Sequence, residues 1–355
     1  PGRASLLTGL SAHHHGAITT DATADFQPEM TVATALQDVG YHTVLVGKYM
    51  NLFDRLEDKT PPGWDEIHGF RGAYYDYDMW SNGEARWHGK GKRHYSTDVI
   101  ARIAKRELDD APKVQPLFMW LAPYTAHKPW TVAPRHRRAK ACNGIDRWRP
   151  PGYMERDVRD KPNYVGARRI VEPKGYDLSR VCRTMLSVDE MVGDIAKKLQ
   201  KRGRLANTMF VLTSDNGMAF GSQRFLHDKK APYGTEIPLM IRWPRVLGVV
   251  PKTARERVQN IDLAPTICDV AGCRLGPYPT GQPKPDGVSL LKLITGERKT
   301  MWRKSVLGSY LDEERRVPRY WSITTTGASP LASKVCKHKR KGACRWMYTR
   351  YETGE

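Results

Sequence analysis

Short apolar runs, each ending in polar residues and each separated from the next by a helical pattern, decide what this 355-residue chain can become. Leu117-Phe118-Met119-Trp120-Leu121 is apolar at every position, so it reads as a strand buried on both faces. Met209-Phe210-Val211-Leu212-Thr213 reads as another buried strand, Leu239-Met240-Ile241-Arg242-Trp243 as a strand stopped by Pro244, and Tyr41-His42-Thr43-Val44-Leu45-Val46 as a strand that ends at Gly47-Lys48. Helices fall between them. Val32 and Leu36, four apart and followed by Gly40, predict one over 31–39. Ser96 is placed to cap a second, whose Val99, Ile100, Ile103 and Leu108 share a face. Val181, Met185, Val188, Val192, Ile195 and Leu199 predict a third, ending near Gly203. Asp262 is placed to cap a fourth that runs to Val270, with Gly272 as its stop. Strands alternating with helices predict an α/β fold: a large, mixed, mostly parallel sheet sandwiched by helices. Helical patterning fades after about Glu297, and 320–324 and 345–349 read as strands of a small C-terminal antiparallel subdomain. The expected division is therefore 1–297 and 298–355. Residues 135–177, rich in Arg, Pro and Gly, read as a long irregular surface excursion.

The composition excludes several classes. No apolar run approaches the ~20 residues of a membrane span, and no repeat period points to a solenoid. Lys and Arg number 58 against 38 Asp and Glu, a net charge of +20, which favours anionic partners. The densest basic stretches, 135–140 and 337–341, come without a nucleic-acid-binding motif, so nucleic acid is not the expected partner. None of the six cysteines forms a CxxC pair, which excludes a zinc ribbon. Cys336 and Cys344 flank a short polar turn and are spaced for a hairpin disulfide, as suits an exported protein, while Cys268 reads as a buried thiol. The cysteines alone leave the compartment open. The chain has no Asn-x-Ser/Thr sequon, a weak argument against a eukaryotic secretory source.

In open α/β sheets, ligands bind beyond the carboxyl ends of the strands. Gly47-Lys48, His127-Lys128, Asp215-Asn216 and His227-Asp228-Lys229-Lys230 fall at such places. A further cation, Arg3, lies in a turn running into a helix at Pro1-Gly2-Arg3-Ala4-Ser5-Leu6-Leu7-Thr8-Gly9. Each alone has an ordinary reading: a surface lysine, a loop histidine, an Asp-Asn-Gly turn. Their joint position outweighs these. Cations, one imidazole and a carboxylate beside a carboxamide suit an anionic ester held next to a hard metal ion. Asp and Asn oxygens are ligands that Ca²⁺ or Mg²⁺ prefers. Histidine suits proton donation to a leaving oxygen, and lysine suits neutralising charge in the transferred group.

These segments resemble the formylglycine-dependent sulfatase family of the alkaline-phosphatase superfamily, in its N-acetylglucosamine-6-sulfatase-like branch. Family members carry C-x-P-S-R-A-x-x-x-T-G, which the first nine residues match from the Pro onward. Further matches are Gly47-Lys48-Tyr49-Met50-Asn51, His127-Lys128-Pro129-Trp130-Thr131, Leu186-Ser187-Val188-Asp189-Glu190 and Thr213-Ser214-Asp215-Asn216-Gly217. Asn260-Ile261-Asp262-Leu263-Ala264-Pro265-Thr266 and Asp286-Gly287-Val288-Ser289-Leu290-Leu291 complete the set, in family order over nearly the whole chain. The resemblance implies hydrolysis of sulfate esters of a sugar or glycan. The nucleophile is a formylglycine made from Cys or Ser by a maturation enzyme, two positions before Pro1. Arg3 is then expected to hold the formylglycine hydroxyls, and Asp215 and Asn216 to ligate Ca²⁺, or less readily Mg²⁺. Lys48 and Lys229 are expected to grip the sulfate, and His127 to assist the leaving alcohol. Lys128 and Lys230 are expected to contact substrate. The same resemblance admits two rivals: a phosphodiesterase or phosphonate monoester hydrolase, and a non-catalytic glycan-binding protein.

The chain also departs from the family pattern. Gly2 replaces the usual Ser, Met50 replaces a common His, and Tyr233-Gly234 replaces Tyr-Glu. Family members begin with an apolar strand ending in an Asp pair, and they continue beyond a segment like 348–355. The expectation is thus a fragment of a longer product that lacks a central strand, is unstable alone and is inactive alone. Export is expected over a cytoplasmic location.

Overall fold

Strand β1 (His42–Lys48) is the axis of the main sheet. It pairs in parallel with β2 (Glu66–Phe70) on one side and β5 (Leu117–Ala122) on the other. Strands β3 (Tyr77–Ser81) and β4 (Glu84–His88) extend it antiparallel beyond β2, giving the order β4-β3-β2-β1-β5. The structure is a computed structural model. It describes every residue except 20–25, 57–58, 171–176, 227, 279–280, 283, 298–301, 313–315, 326–345 and 355. His227, Cys336 and Cys344, with the basic stretch 337–341, lie outside the described residues.

Alternation along β1 builds two cores. Val44 and Val46 join Val99, Ile100 and Leu108 of the helix Ser96–Asp110, and Val188, Met191 and Ile195 of the helix Leu178–Lys201. Leu45, between them, faces the other way, onto Val32 and Leu36 of the helix Val32–Gln37 and onto Leu7 and Ala264. All three β1 side chains are fully buried, and each such side chain contributes about 1.5–3 kcal/mol of burial. The sheet is sandwiched by helices, as the patterning predicts.

Two expected caps differ. Ser96 is the first residue of its helix rather than the cap, and its buried hydroxyl has no partner among the described residues. Asp262 precedes the helix Leu263–Ala271 without capping it. Its carboxylate is fully buried and accepts two bonds from Arg303, at 2.8 and 3.0 Å, and the backbone N–H groups of Gln259 and Val288. A buried charge needs that many partners to offset desolvation, and helix capping is given up for them. Thr31 and Asp177 do cap, each accepting from the N–H three residues on.

Strands β6 (Phe210–Thr213) and β7 (Leu239–Arg242) pair antiparallel with each other, apart from the main sheet. Among the described residues β5 pairs only with β1, and β6 only with β7. Between β5 and β6 runs a cleft of about 1850 Å³, lined by residues of both strands. This corrects the reading of 117–121 as buried on both faces: the whole strand is only half-buried, because it borders that cleft.

A three-stranded antiparallel sheet of β8 (Ser305–Tyr310), β9 (Tyr320–Thr325) and β10 (Met347–Tyr351) closes the chain, in the order β10-β9-β8. The last strand runs two residues later than the sequence pattern suggested. Tyr320 and Tyr351 of this sheet pack with Ala219, Phe225 and Ala231 of the core. The excursion after Pro134 is a chain of single turns, as expected from its composition, and a disulfide between Cys142 and Cys182 ties it to the long helix. Cys268 is not a free thiol: it is bonded to Cys273 across the end of its helix. Among the described residues no helix is long and apolar enough to cross a membrane.

Candidate anion-binding site

The cleft's polar end is formed where β1, β5 and β6 stop. Gly47 sits at φ 118°, and a Cβ there would lie 2.3 Å from the Ala122 carbonyl oxygen, so only glycine lets β1 and β5 close up just before Lys48. Lys48 projects beside the Tyr124 ring, its Nζ 5.9 Å from the centroid. Beyond β5, the loop carrying His127 is pinned from below. Tyr74 donates to the His127 carbonyl at 2.7 Å, Tyr124 to the Lys128 carbonyl at 2.8 Å, and Tyr95 to the Thr131 carbonyl at 3.0 Å. The His127 Nδ1–H donates to the same Lys128 carbonyl at 2.8 Å, which leaves Nε2 as the open nitrogen.

Arg3 joins the sheets. Its guanidinium donates to the Tyr49 carbonyl and to Asn51 Oδ1 (2.9 Å) just past β1, and to the Asp215 carboxylate just past β6. The side chain is 13% exposed and Asp215 37%. Burial lowers the Arg3 pKa and the Asp215 charge opposes that shift. Asn51 is the site residue that sequence reasoning misses, because nothing in its type or spacing within Gly47–Asn51 distinguishes it from a turn residue.

Electrostatics bring the same residues together. Burial, then the charges of Arg3 and Lys229, push the Lys48 ammonium down to about 8, against the pull of Asp215. His127 is also lowered, first by burial and then by Lys229 and Lys48, while its bond to the Lys128 carbonyl works the other way. Several cations thus face one cleft with little compensating negative charge, which is the condition for holding an anion.

All eight expected site residues line this one cleft: Arg3, Lys48, His127, Lys128, Asp215, Asn216, Lys229 and Lys230. They are not equivalent. Lys230 turns toward the C-terminal sheet, with Nζ 4.0 Å from Asp312 and 5.8 Å from the Tyr310 ring. Lys128 lies over Trp130 at 5.2 Å. Lys229, in contrast, is exposed and acts on both Lys48 and His127. Met50, at the position of a common family histidine, is buried in the core where it borders the cleft and offers no titratable group there.

Asp215 and Asn216 offer hard oxygens, the donor type calcium takes, but two side chains fall short of six to eight ligands. The Asp215 carboxylate is engaged by Arg3, and Asn216 Nδ2 donates to the Gly217 carbonyl at 2.9 Å. The described residues alone therefore do not complete a calcium cage. A separate group, Glu66, His68 and Glu107, lies off the cleft. His68 spends its two nitrogens on Ser81 and Glu107, so that group reads as a buried polar network.

Gly2 marks a tight approach. A Cβ there would lie 2.1 Å from the Asp215 carbonyl oxygen, so the serine usual in the family does not fit this backbone. Gly2→Ser is expected to shift the Asp215 loop and cost about 1–3 kcal/mol of stability, the range for an overpacked site. Thermal unfolding checks this; an unchanged midpoint would show that the loop gives way freely.

The sulfatase family profile matches residues 1–273, so the chain belongs to the sulfatase family. A second profile, N-sulphoglucosamine sulphohydrolase C-terminal, matches residues 219–329. Among curated relatives, the N-acetylglucosamine-6-sulfatase of Homo sapiens is 31% identical over 344 residues, covering 89% of this chain and 60% of the relative. The N-acetylglucosamine-6-O-sulfatase of Bacteroides thetaiotaomicron is 27% identical, covering 92% of this chain and 68% of the relative. The chain thus spans about 60% of the length of the human relative. Among solved structures, BT4656 in complex with its substrate D-glucosamine-2-N,6-O-disulfate aligns with a TM-score of 0.70 at 23% identity, covering 92% of this chain and 77% of that one. A phosphonate monoester hydrolase from Silicibacter pomeroyi aligns at 0.63 and 18% identity, covering 100% and 80%. At such identities these alignments establish the fold, which is the sulfatase-like α/β fold expected from the sequence.

Proposed function

We propose that the protein is a sulfuric ester hydrolase acting on a sulfated sugar or glycan, with N-acetylglucosamine-6-sulfate as the leading substrate type. The observation that supports this most is the convergence of Arg3, Lys48, His127, Asp215 and Lys229 on one cleft at the strand ends. Lys48 and Lys229 hold the sulfate oxygens and neutralise charge that builds on them. His127 presents Nε2 toward the leaving oxygen. Its lowered pKa keeps it neutral in the empty cleft, and a bound dianion favours its protonation, which arms it as a proton donor. Arg3 holds the start of its helix against Asp215. In the family, a formylglycine supplies the nucleophile that attacks sulfur, and the same chemistry is proposed here. Calcium as the metal, with Asp215 and Asn216 among its ligands, belongs to the proposal, as does a formylglycine-generating maturation partner.

Two disulfides support folding in an oxidising compartment, hence export. Relatives named as extracellular sulfatases, from Caenorhabditis elegans and Drosophila melanogaster, agree with that. The test is release of inorganic sulfate from N-acetylglucosamine-6-sulfate by the full-length product carrying formylglycine. Hydrolysis of a phosphonate monoester with no release from any sulfate ester would overturn the reading in favour of the phosphonate hydrolase.

A further inference from the structure

We propose that Tyr124 is a positioning residue that sets the orientation of both Lys48 and His127 toward the cleft. The inference rests on the functional reading above for its purpose, though not for its geometry.

The Tyr124 ring has a close neighbour on each side that matters. Lys48 Nζ lies 5.9 Å from its centroid, a cation–π distance, and the His127 imidazole lies 4.7 Å away at a 33° tilt. Tyr74 meets it edge-on at 5.2 Å. Gly72 backs it: at φ 114°, a Cβ on Gly72 would fall 2.5 Å from the ring and 3.5 Å from Lys48 Cδ. The ring is therefore wedged in a slot that only a glycine leaves open, and it cannot swing away without vacating the space beside both functional groups.

The hydroxyl does a second job. The Lys128 carbonyl accepts from Tyr124 and from His127 Nδ1–H at 2.8 Å each. One oxygen thus anchors both the wedge and the imidazole. Because Nδ1 carries the proton, Nε2 is the nitrogen turned to the cleft. Lys48, Lys229 and Asp215 are the charged groups that act on His127 there. Tyr124 itself touches no reacting atom. It acts through the two residues that do, by fixing a tautomer and a lysine direction.

The test compares wild type, Tyr124→Phe and Tyr124→Leu in the full chain, each first checked for a cooperative thermal transition. Imidazole ¹⁵N–¹H correlation spectra read the His127 tautomer and titration, and calorimetry reads affinity for inorganic sulfate. Wild type is expected to show a single Nδ1–H tautomer; Tyr124→Phe, which keeps the ring and loses only the hydroxyl's hold on the Lys128 carbonyl, is expected to keep sulfate affinity within about threefold of wild type with the Nδ1–H tautomer still predominant but less fully populated. Tyr124→Leu is expected to mix the tautomers, return the His127 midpoint toward its ordinary value and weaken sulfate about tenfold. A Leu variant with the wild-type tautomer and titration overturns the proposal. So does an Nε2–H tautomer in wild type, which decides the matter even should Tyr124→Leu not fold. A wild-type chain that binds no sulfate counts against the sulfatase reading instead, while the tautomer comparison still judges Tyr124.

Discussion

Replacing Arg3 with alanine is expected to lower the unfolding free energy by about 2–4 kcal/mol. One guanidinium serves the Tyr49 carbonyl, the Asn51 carboxamide and the Asp215 carboxylate. Its removal leaves three acceptors to find water, one of them charged. Breaking a fully buried pair costs about 3–5 kcal/mol, but Asp215 is 37% exposed, and water returns part of that. Arg3→Lys is expected to recover less than half, because an ammonium cannot reach three acceptors in the plane of a fork. Chemical denaturation of the three proteins measures this. An Arg3→Ala chain as stable as wild type would mean that the bridge between the strand ends carries no load.

The second large effect concerns Lys48. Lys48→Ala is expected to weaken inorganic sulfate binding by about 2 kcal/mol or more, some thirtyfold, as for loss of one partner in a desolvated charge pair. The pH dependence distinguishes this from a general loss of structure. In the empty cleft Lys48 titrates at about 8. Sulfate remains a dianion throughout, so it binds the protonated form. The Lys48 contribution to affinity should be level below that value and fall above it, by up to tenfold per pH unit. His127, also lowered, adds affinity as pH drops through its own midpoint. Lys48→Arg, whose guanidinium stays charged, should remove the alkaline decline while keeping binding. Titration calorimetry across the neutral and alkaline range tests this, and a decline that persists unchanged in Lys48→Arg would assign it to another group.

The fold was legible where periodicity alone decides it. Val44 and Val46 of the run 41–46 and Val188, Val192, Ile195 and Leu199 of the helical series find their partner surface in one cluster, while Met185 of the same series is exposed. Caps were less legible. A serine before an apolar face looks like a cap, yet the backbone of Tyr95 takes that place. An aspartate before a helix looks the same whether its oxygens face the first turn or, as with Asp262, a distant Arg303. The matched segments 260–266 and 286–291 carry the resemblance but meet around Asp262 as scaffolding, with Gly287 so close to the Ile261 carbonyl that a Cβ would sit 1.9 Å from it. Lys48, His127, Asp215 and Lys229 were legible as types at strand ends. The tyrosines beneath them were not, because a hydroxyl bonded to a backbone carbonyl leaves no pattern in sequence. The Cys142–Cys182 bond was equally hidden, since 40 residues of irregular chain give no register to predict from.

Lys48 and His127 stand on the five-stranded sheet, Asp215 on the two-stranded one, and among the described residues no ladder of backbone bonds joins the two. The two sides of the site thus ride on separate sheets that share packed side chains, with Arg3 as a rivet between them. Arg3 therefore ties the spacing between the two sides of the anion site to the bonds of one guanidinium.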